Sequence, residues 1–106
     1  MSKPLSAPSL FCRRLKEARL SAGIAQDQLG VRMGLDEGSS SARISRYETG
    51  IHEPPFAVIE QMATILKVPV PYFFCADDKF AQLMLIYFSA SKSEKQAMID
   101  AVLAAK

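Results

Sequence analysis

Apolar residues recur at intervals of three and four along most of this 106-residue chain, and this spacing is typical of one face of an α-helix. We find no strand pattern, internal repeat or low-complexity tract, so we predict an all-α fold. Residues 1–8, in which Pro4 and Pro8 stand among small residues, are predicted to form a flexible arm.

Residues 9–76 contain five predicted helices. Ser9 is a good cap for the first, which ends at Gly23, and the second runs from near Ala25 to Gly34. The fourth follows two adjacent prolines, and a short fifth covers residues 68–74. The apolar stripes of the first and fourth helices consist of Phe11, Leu15, Ala18 and Ala22, and of Phe56, Ile59, Ala63 and Leu66.

The third helix lies in the stretch SSSARISRYETG, residues 39–50. Ser40 is its preferred first residue, and the serines on either side remain possible. Ile44 and Tyr47 form a stripe too narrow to stabilise a short helix alone, so the helix needs a core from the rest of the chain. The faces beside and opposite this stripe carry Ser41, Ala42, Ser45 and Arg46.

Two further helices are predicted in residues 77–106. Asp77 and Asp78 suit the start of the first, and Ser93 with Gln96 is expected to open the second. Their apolar positions are Phe80, Leu83, Met84, Tyr87 and Phe88, and Ala97, Met98, Ala101, Val102 and Leu103. We interpret this surface as a dimer interface. The alternative is extra core packing within one subunit.

The net charge is only +2, but the charge is unevenly distributed. Residues 1–50 carry eight Lys and Arg against five Asp and Glu, which gives +3, whereas residues 51–76 sum to −1 and residues 77–106 to zero. All six arginines lie between positions 13 and 46. Arginine suits bidentate contacts to phosphates and base edges, so the distribution favours an anionic partner. A solvated basic face is the alternative.

Several classes of protein fit the sequence poorly. The longest apolar run has six residues, Leu83 to Phe88, whereas a membrane span needs about 20, and no signal-peptide core follows the first residues, so we expect a cytoplasmic protein. Two cysteines make neither a disulfide framework nor a metal set. His52 is the only histidine. We therefore predict no catalytic site, cofactor, metal or small-molecule ligand.

Four stretches in order resemble the phage-repressor type of helix-turn-helix domain, the Cro and lambda-repressor (Xre-like) class of transcriptional regulators. They are LKEARLSAG, AQDQLGVRMG, ARISRYETG and PPFAVIEQMATILKVPVPYFF, within residues 11–74. The resemblance implies a five-helix domain in which the second and third helices form the motif and the third lies in the DNA major groove. One or two C-terminal helices would follow this domain.

The resemblance also implies roles for individual residues. Gln26 would meet a phosphate with the start of the second helix, and Gly30 would lie where the two motif helices cross. Arg19 and Glu48 would form a structural ion pair between the first and third helices. The positions that would face base edges are Ser41, Ala42 and Arg46, with Arg43 and Ser45 beside them. We therefore predict base contacts from Ser41, Ala42, Ser45 and Arg46. Phosphate contacts are predicted from Gln26, from Arg43 and from His52, which lies just past the third helix.

The connection before the third helix departs from the family pattern. Nine residues, Leu35 to Arg43, stand where the family has about five. The four extra residues, near Asp36 to Ser39, are expected to lengthen the turn and to bring two acidic groups close to the DNA.

Two functions are compatible with these features. The first is a sequence-specific DNA-binding regulator, a repressor that binds double-stranded DNA as a homodimer. The second is a protein-interaction module, such as an antitoxin or a coactivator-like adaptor, that has the same fold without specific DNA binding. The low net charge and the acidic insertion favour the second, whereas the confinement of the arginines favours the first.

Overall fold

The computed structural model describes residues 7–106, which form six α-helices and one short 3-10 helix with no strand. The all-α prediction is therefore confirmed. The flexible arm predicted for residues 1–8 lies outside the described residues except for Ala7 and Pro8, which are helical. The helices are α1 (Ala7–Ser21), α2 (Gln26–Arg32), α3 (Glu37–Thr49), α4 (Phe56–Leu66), the 3-10 helix (Val70–Phe74), α5 (Asp78–Ser89) and α6 (Lys92–Ala104).

Local capping explains where the C-terminal helices begin. The Asp77 carboxylate accepts hydrogen bonds from the backbone N–H groups of Lys79 and Phe80, as its position predicted. The prediction for α6 was wrong by two residues, because its cap is Ser91 and not Ser93. The Ser91 hydroxyl accepts from the Glu94 N–H at 3.1 Å, and the Glu94 carboxylate accepts from the Ser91 N–H at 2.9 Å. This reciprocal pair is a complete capping box.

The start of α1 also differs from the prediction. The helix begins at Ala7, so Ser9 lies inside its first turn instead of capping it. Gln28 behaves as predicted at the start of α2, where its side-chain oxygen accepts from the Ala25 N–H at 2.9 Å.

The extra residues before the third helix belong mostly to that helix. α3 begins at Glu37 with Asp36 as its cap residue, three positions before the predicted Ser40. Ser40 cannot act as the cap because its side chain is fully buried and its hydroxyl donates to the backbone carbonyl of Asp27 in α2. The insertion therefore lengthens α3 by about one turn instead of lengthening the connection.

The core is formed by α1 to α4 and the 3-10 helix. Its largest fully buried side chains come from all of these elements: Phe73, Leu15, Leu29, Ile44 and Met62. Two residues assigned to the apolar stripes face solvent instead. Ala22 follows the last residue of α1 and is exposed, and Phe56, in the first turn of α4, is 61% exposed. Within residues 7–106 no helix is long and apolar enough to span a membrane.

α2 and α3 pack closely where they cross. Gly30 and Ser40 face each other there, and both are buried. A β-carbon added to Gly30 would overlap the Ser40 hydroxyl and would lie 2.8 Å from its β-carbon and 3.0 Å from its α-carbon. Only glycine fits, which confirms the structural role expected for Gly30.

The Gly30→Ala substitution should destabilise the protein by about 1 to 3 kcal/mol, because the two helix backbones would have to separate. Urea denaturation followed by circular dichroism measures the change. Gly38→Ala is a matched control in α3, since a β-carbon there meets no atom within 4 Å, and it should leave stability unchanged or raise it by about 0.5 kcal/mol. Equal midpoints for Gly30→Ala and the unsubstituted protein would contradict the packing argument.

Candidate nucleic-acid interface

The two sides of α3 differ sharply in burial. Ser40, Ile44 and Tyr47 are buried against α1, α2 and the core. The four residues predicted to contact bases are the exposed Ser41, Ala42 and Arg46 and the half-buried Ser45. These four residues therefore present three small side chains and one long cation, Arg46, and the exposed Arg43 adds a second cation on α3.

The six arginines divide into two groups. Arg13, Arg14 and Arg19 of α1 bind carboxylates within the protein, and Arg14 and Arg19 are buried. These three cations are structural, so the sequence-based use of all six as a signal for an anionic partner was too broad. The sequence did contain a signal for the buried arginines, because Arg14 and Arg19 are adjacent to Leu15 and Ala18 on the apolar stripe of α1.

Arg14 is only 3% exposed, and each of its three guanidinium nitrogens donates at least one hydrogen bond. It donates to the carbonyl oxygen of Cys75 at 3.0 and 2.7 Å, to Glu17 at 3.0 Å and to Asp78 at 2.9 Å. Hydrogen bonds from Arg14 and then Arg13 lower the pKa of the Asp78 carboxyl. A lowered pKa means that this contact stabilises the fold at neutral pH and weakens only when the pH falls through the lowered pKa.

The other three arginines are Arg32, Arg43 and Arg46, at the end of α2 and along α3. All three are exposed, and their guanidinium groups make no hydrogen bond or ion pair among residues 9–106. They are therefore the arginines of the domain that can neutralise an external anion.

A buried ion pair connects α1 to α3. Arg19 Nε lies 2.5 Å from Glu48 Oε2 and Arg19 Nη2 lies 3.1 Å from Glu48 Oε1, so the contact is bidentate. The side chains are 9% and 4% exposed. The remaining Arg19 nitrogen donates to the carbonyl of Ile24 at 2.9 Å. This geometry fixes the rotation of α3 about its own axis, because Glu48 must stay opposite Arg19.

Comparisons with known proteins agree with this geometry. The sequence profile of a family described as a helix-turn-helix domain matches residues 10–71, more than half of the chain. The chain belongs to this helix-turn-helix family. The crystal structure of the transcriptional regulator BswR is similar to this protein with a TM-score of 0.84 and 39% sequence identity, over 88% of this chain and 92% of that chain. No curated protein sequence matches the chain.

Family membership places α2 and α3 as the helix-turn-helix motif, in agreement with the resemblance to phage-repressor-type regulators. Gln26, the first residue of α2, links the motif to the buried ion pair by hydrogen bonds. The Gln26 amide nitrogen donates to Glu48 Oε1 at 3.2 Å, and its oxygen accepts from the Ser41 hydroxyl at 3.4 Å. Gln26 is therefore held against α3 at the surface of the motif, with its side chain half-buried.

His52 follows the end of α3 and is exposed. Its backbone N–H donates to the carbonyl of Arg46 at 3.2 Å. His52 lines a small hollow with Glu53 and Phe74, where the C-terminal end of α3 meets α1, α4 and the 3-10 helix. In the part of the chain that the structure describes, no group of three or more His, Cys, Asp or Glu side chains could hold a metal ion.

The start of α3 brings to the motif surface the two acidic groups that the sequence predicted there, but as part of a helix and not of a longer turn. It carries Asp36 and Glu37, both exposed, and Gly38. The two acidic residues line a shallow surface groove together with Asp27 and Arg32 of α2. The four-residue excess was visible in the sequence, but whether it formed turn or helix depended on the burial of Ser40.

Removing either partner of the Arg19–Glu48 pair should destabilise the domain by about 3 to 5 kcal/mol, because the other charge would remain buried without its partner. Thermal and urea unfolding of Arg19→Met, Glu48→Leu and the double variant form a double-mutant cycle. The double variant should lose less stability than the sum of the single changes. Additive losses would show that the two charges do not depend on each other.

Proposed function

We propose that this protein is a sequence-specific DNA-binding transcriptional regulator that reads the major groove with α3. Membership of the helix-turn-helix family supports DNA binding, and BswR, similar over most of its length, is a transcriptional regulator. The observation that carries the proposal is the outward side of α3, where small side chains surround Arg46, whose guanidinium has no partner among the described residues. Small side chains permit close approach to base edges, and Arg46 can bind guanine O6 and N7.

The proposed contacts fall into two groups. Ser41, Ala42, Ser45 and Arg46 would face base edges, and Gln26, Arg43 and His52 would contact phosphates. On a helix with about 3.6 residues per turn, Arg43 lies closer than Arg46 to the buried side of α3. A side chain in that position is directed toward the rim of the groove, where the phosphates are. His52 is the least supported of the seven, because its side chain lies against the hollow beside the 3-10 helix.

We also propose that residues 9–76 form the DNA-binding domain and residues 77–106 form the dimer interface. α6 has no buried residue, and it forms an apolar groove with α5. The groove is lined by Phe80, Leu83, Met84, Tyr87, Met98, Ile99, Val102 and Leu103. A second copy of the chain would cover this surface and present two α3 helices to two half-sites. We propose that such a dimer acts as a repressor by excluding other proteins from the operator.

A protein-interaction module without specific DNA binding is the second candidate. The acidic first turn of α3 favours it, because Asp36 and Glu37 next to Asp27 repel phosphates. Titration of the protein with random duplex DNA at low salt separates the two functions. Binding that weakens steeply as salt is added supports the regulator, and no binding supports the module.

Arg46→Ala should weaken binding to the preferred operator by about 1 to 3 kcal/mol and should relax the preference at one base pair per half-site. Arg43→Ala, the matched arginine control on the same helix, should weaken binding to all sequences alike and lower the salt slope by about one per subunit. The operator is first selected from a random duplex pool, and its single-base variants are then titrated at two salt concentrations. Unchanged base preferences in Arg46→Ala would mean that the longer α3 sits in a different register.

Val102→Asp should convert the protein to a monomer, because this 61% exposed side chain lies in the apolar groove and a carboxylate there would be desolvated in the dimer. Analytical ultracentrifugation at micromolar concentration gives the oligomeric state. Ala97→Asp is the matched control. The sequence analysis counted Ala97 with the apolar surface, but this residue is exposed and does not line the groove, so the variant should remain dimeric. A monomeric unsubstituted protein would refute the dimer.

A further inference from the structure

The C-terminal helices are attached to the DNA-binding domain through a small patch of apolar surface. Ala81 is the one buried residue of α5, and α6 has none. Met84 and Leu85 of α5 are partly buried against the core. So little packing would allow α5 to change its angle to α1, because the free energy that resists such a pivot grows with the apolar area buried.

Polar contacts at the start of α5 supply the missing restraint. Asp78 Oδ1 accepts hydrogen bonds from Arg14 Nη2 at 2.9 Å and from Arg13 Nη2 at 3.1 Å. Arg14 also donates twice to the carbonyl oxygen of Cys75, three residues earlier in the chain. One guanidinium therefore holds both the segment that enters α5 and the first residue of the helix.

Arg14 is itself a fixed support for these contacts. Its third nitrogen donates to Glu17, its carbon Cζ lies 5.4 Å from the centre of the Tyr72 ring, and the Tyr72 hydroxyl donates to the same Glu17 oxygen at 3.4 Å. A buried guanidinium that lost its acceptors would be left desolvated, so the arrangement resists bending of the joint. Arg13 is half-exposed and its contact to Asp78 is more screened by solvent.

We propose that Arg13, Arg14 and Asp78 form a clamp that sets the angle between the DNA-binding domain and the C-terminal helices, and that this angle selects the spacing between operator half-sites. The inference rests on the proposed DNA-binding dimer. Each added base pair moves a half-site by about 3.4 Å and rotates it by about 35°. A dimer whose two domains are held at fixed angles cannot follow this rotation, whereas a dimer with loose joints can.

The test varies the distance between two selected half-sites one base pair at a time over about one helical turn. Affinity is measured for the unsubstituted protein, for Asp78→Lys, which places a third cation against the two arginines, and for Asp100→Lys. Asp100→Lys makes the same change of charge in α6, where Asp100 contacts only Gln96 among the described side chains. Circular dichroism, ultracentrifugation and binding to an isolated half-site check that each variant folds, dimerises and keeps an intact α3.

The unsubstituted protein and Asp100→Lys should prefer one spacing over its neighbours by about tenfold, and Asp78→Lys should reduce that ratio to about threefold or less while it remains a dimer. The same sharp preference in Asp78→Lys would overturn the clamp and leave the proposed function intact. Failure of the unsubstituted protein to distinguish spacings would overturn the clamp alone. Its failure to bind any paired half-site would overturn the proposed function and the clamp together.

Discussion

The buried Arg19–Glu48 ion pair is the constraint on which the orientation of the candidate interface depends. α3 has a narrow apolar stripe, and Ile44 and Tyr47 alone would tolerate some rotation of the helix. The ion pair removes this tolerance, because any rotation that separates the two side chains leaves a desolvated charge. Gln26 extends the restraint to Ser41 at the surface of the motif. The exposed side chains of α3 are therefore held in a fixed direction by contacts on its buried side.

The division of the arginines explains how a chain with a net charge of only +2 can contain a site for an anion. Arg14 and Arg19 are neutralised inside the protein, where their carboxylate partners include Glu17 and Glu48. Arg43 and Arg46 keep their charge at the surface, a few residues apart on one helix. The approach of a phosphate depends on the charged groups near the site and not on the net charge of the chain, because charges more than about 10 Å away are largely screened at ordinary salt.

The number and order of the helices could be predicted because the signals are local. An apolar stripe and a cap such as Asp77 lie within a few residues of each other. The start of α3 could not be predicted in the same way, because the Ser40 hydroxyl bonds to Asp27, 13 residues earlier. The partners of the buried Arg14 include Asp78, 64 residues later. The exposure of Arg46 could be predicted from the apolar stripe alone. That the acidic residues Asp36 and Glu37 start a helix could not, because it depends on how Ser40 packs.

The added turn changes the electrostatics of the motif at the end where anions are usually attracted. The N-terminus of a helix carries a partial positive charge that favours phosphate. In α3 the residues at this end are Asp36 and Glu37, whose carboxylates offset that charge and disfavour a phosphate there. Positive charge on α3 is instead supplied by Arg43 and Arg46, in its second and third turns. Contacts of α3 with an anionic partner would therefore be displaced toward the middle and the C-terminal part of the helix, which are the parts held in place by the buried Ile44, Tyr47 and Glu48.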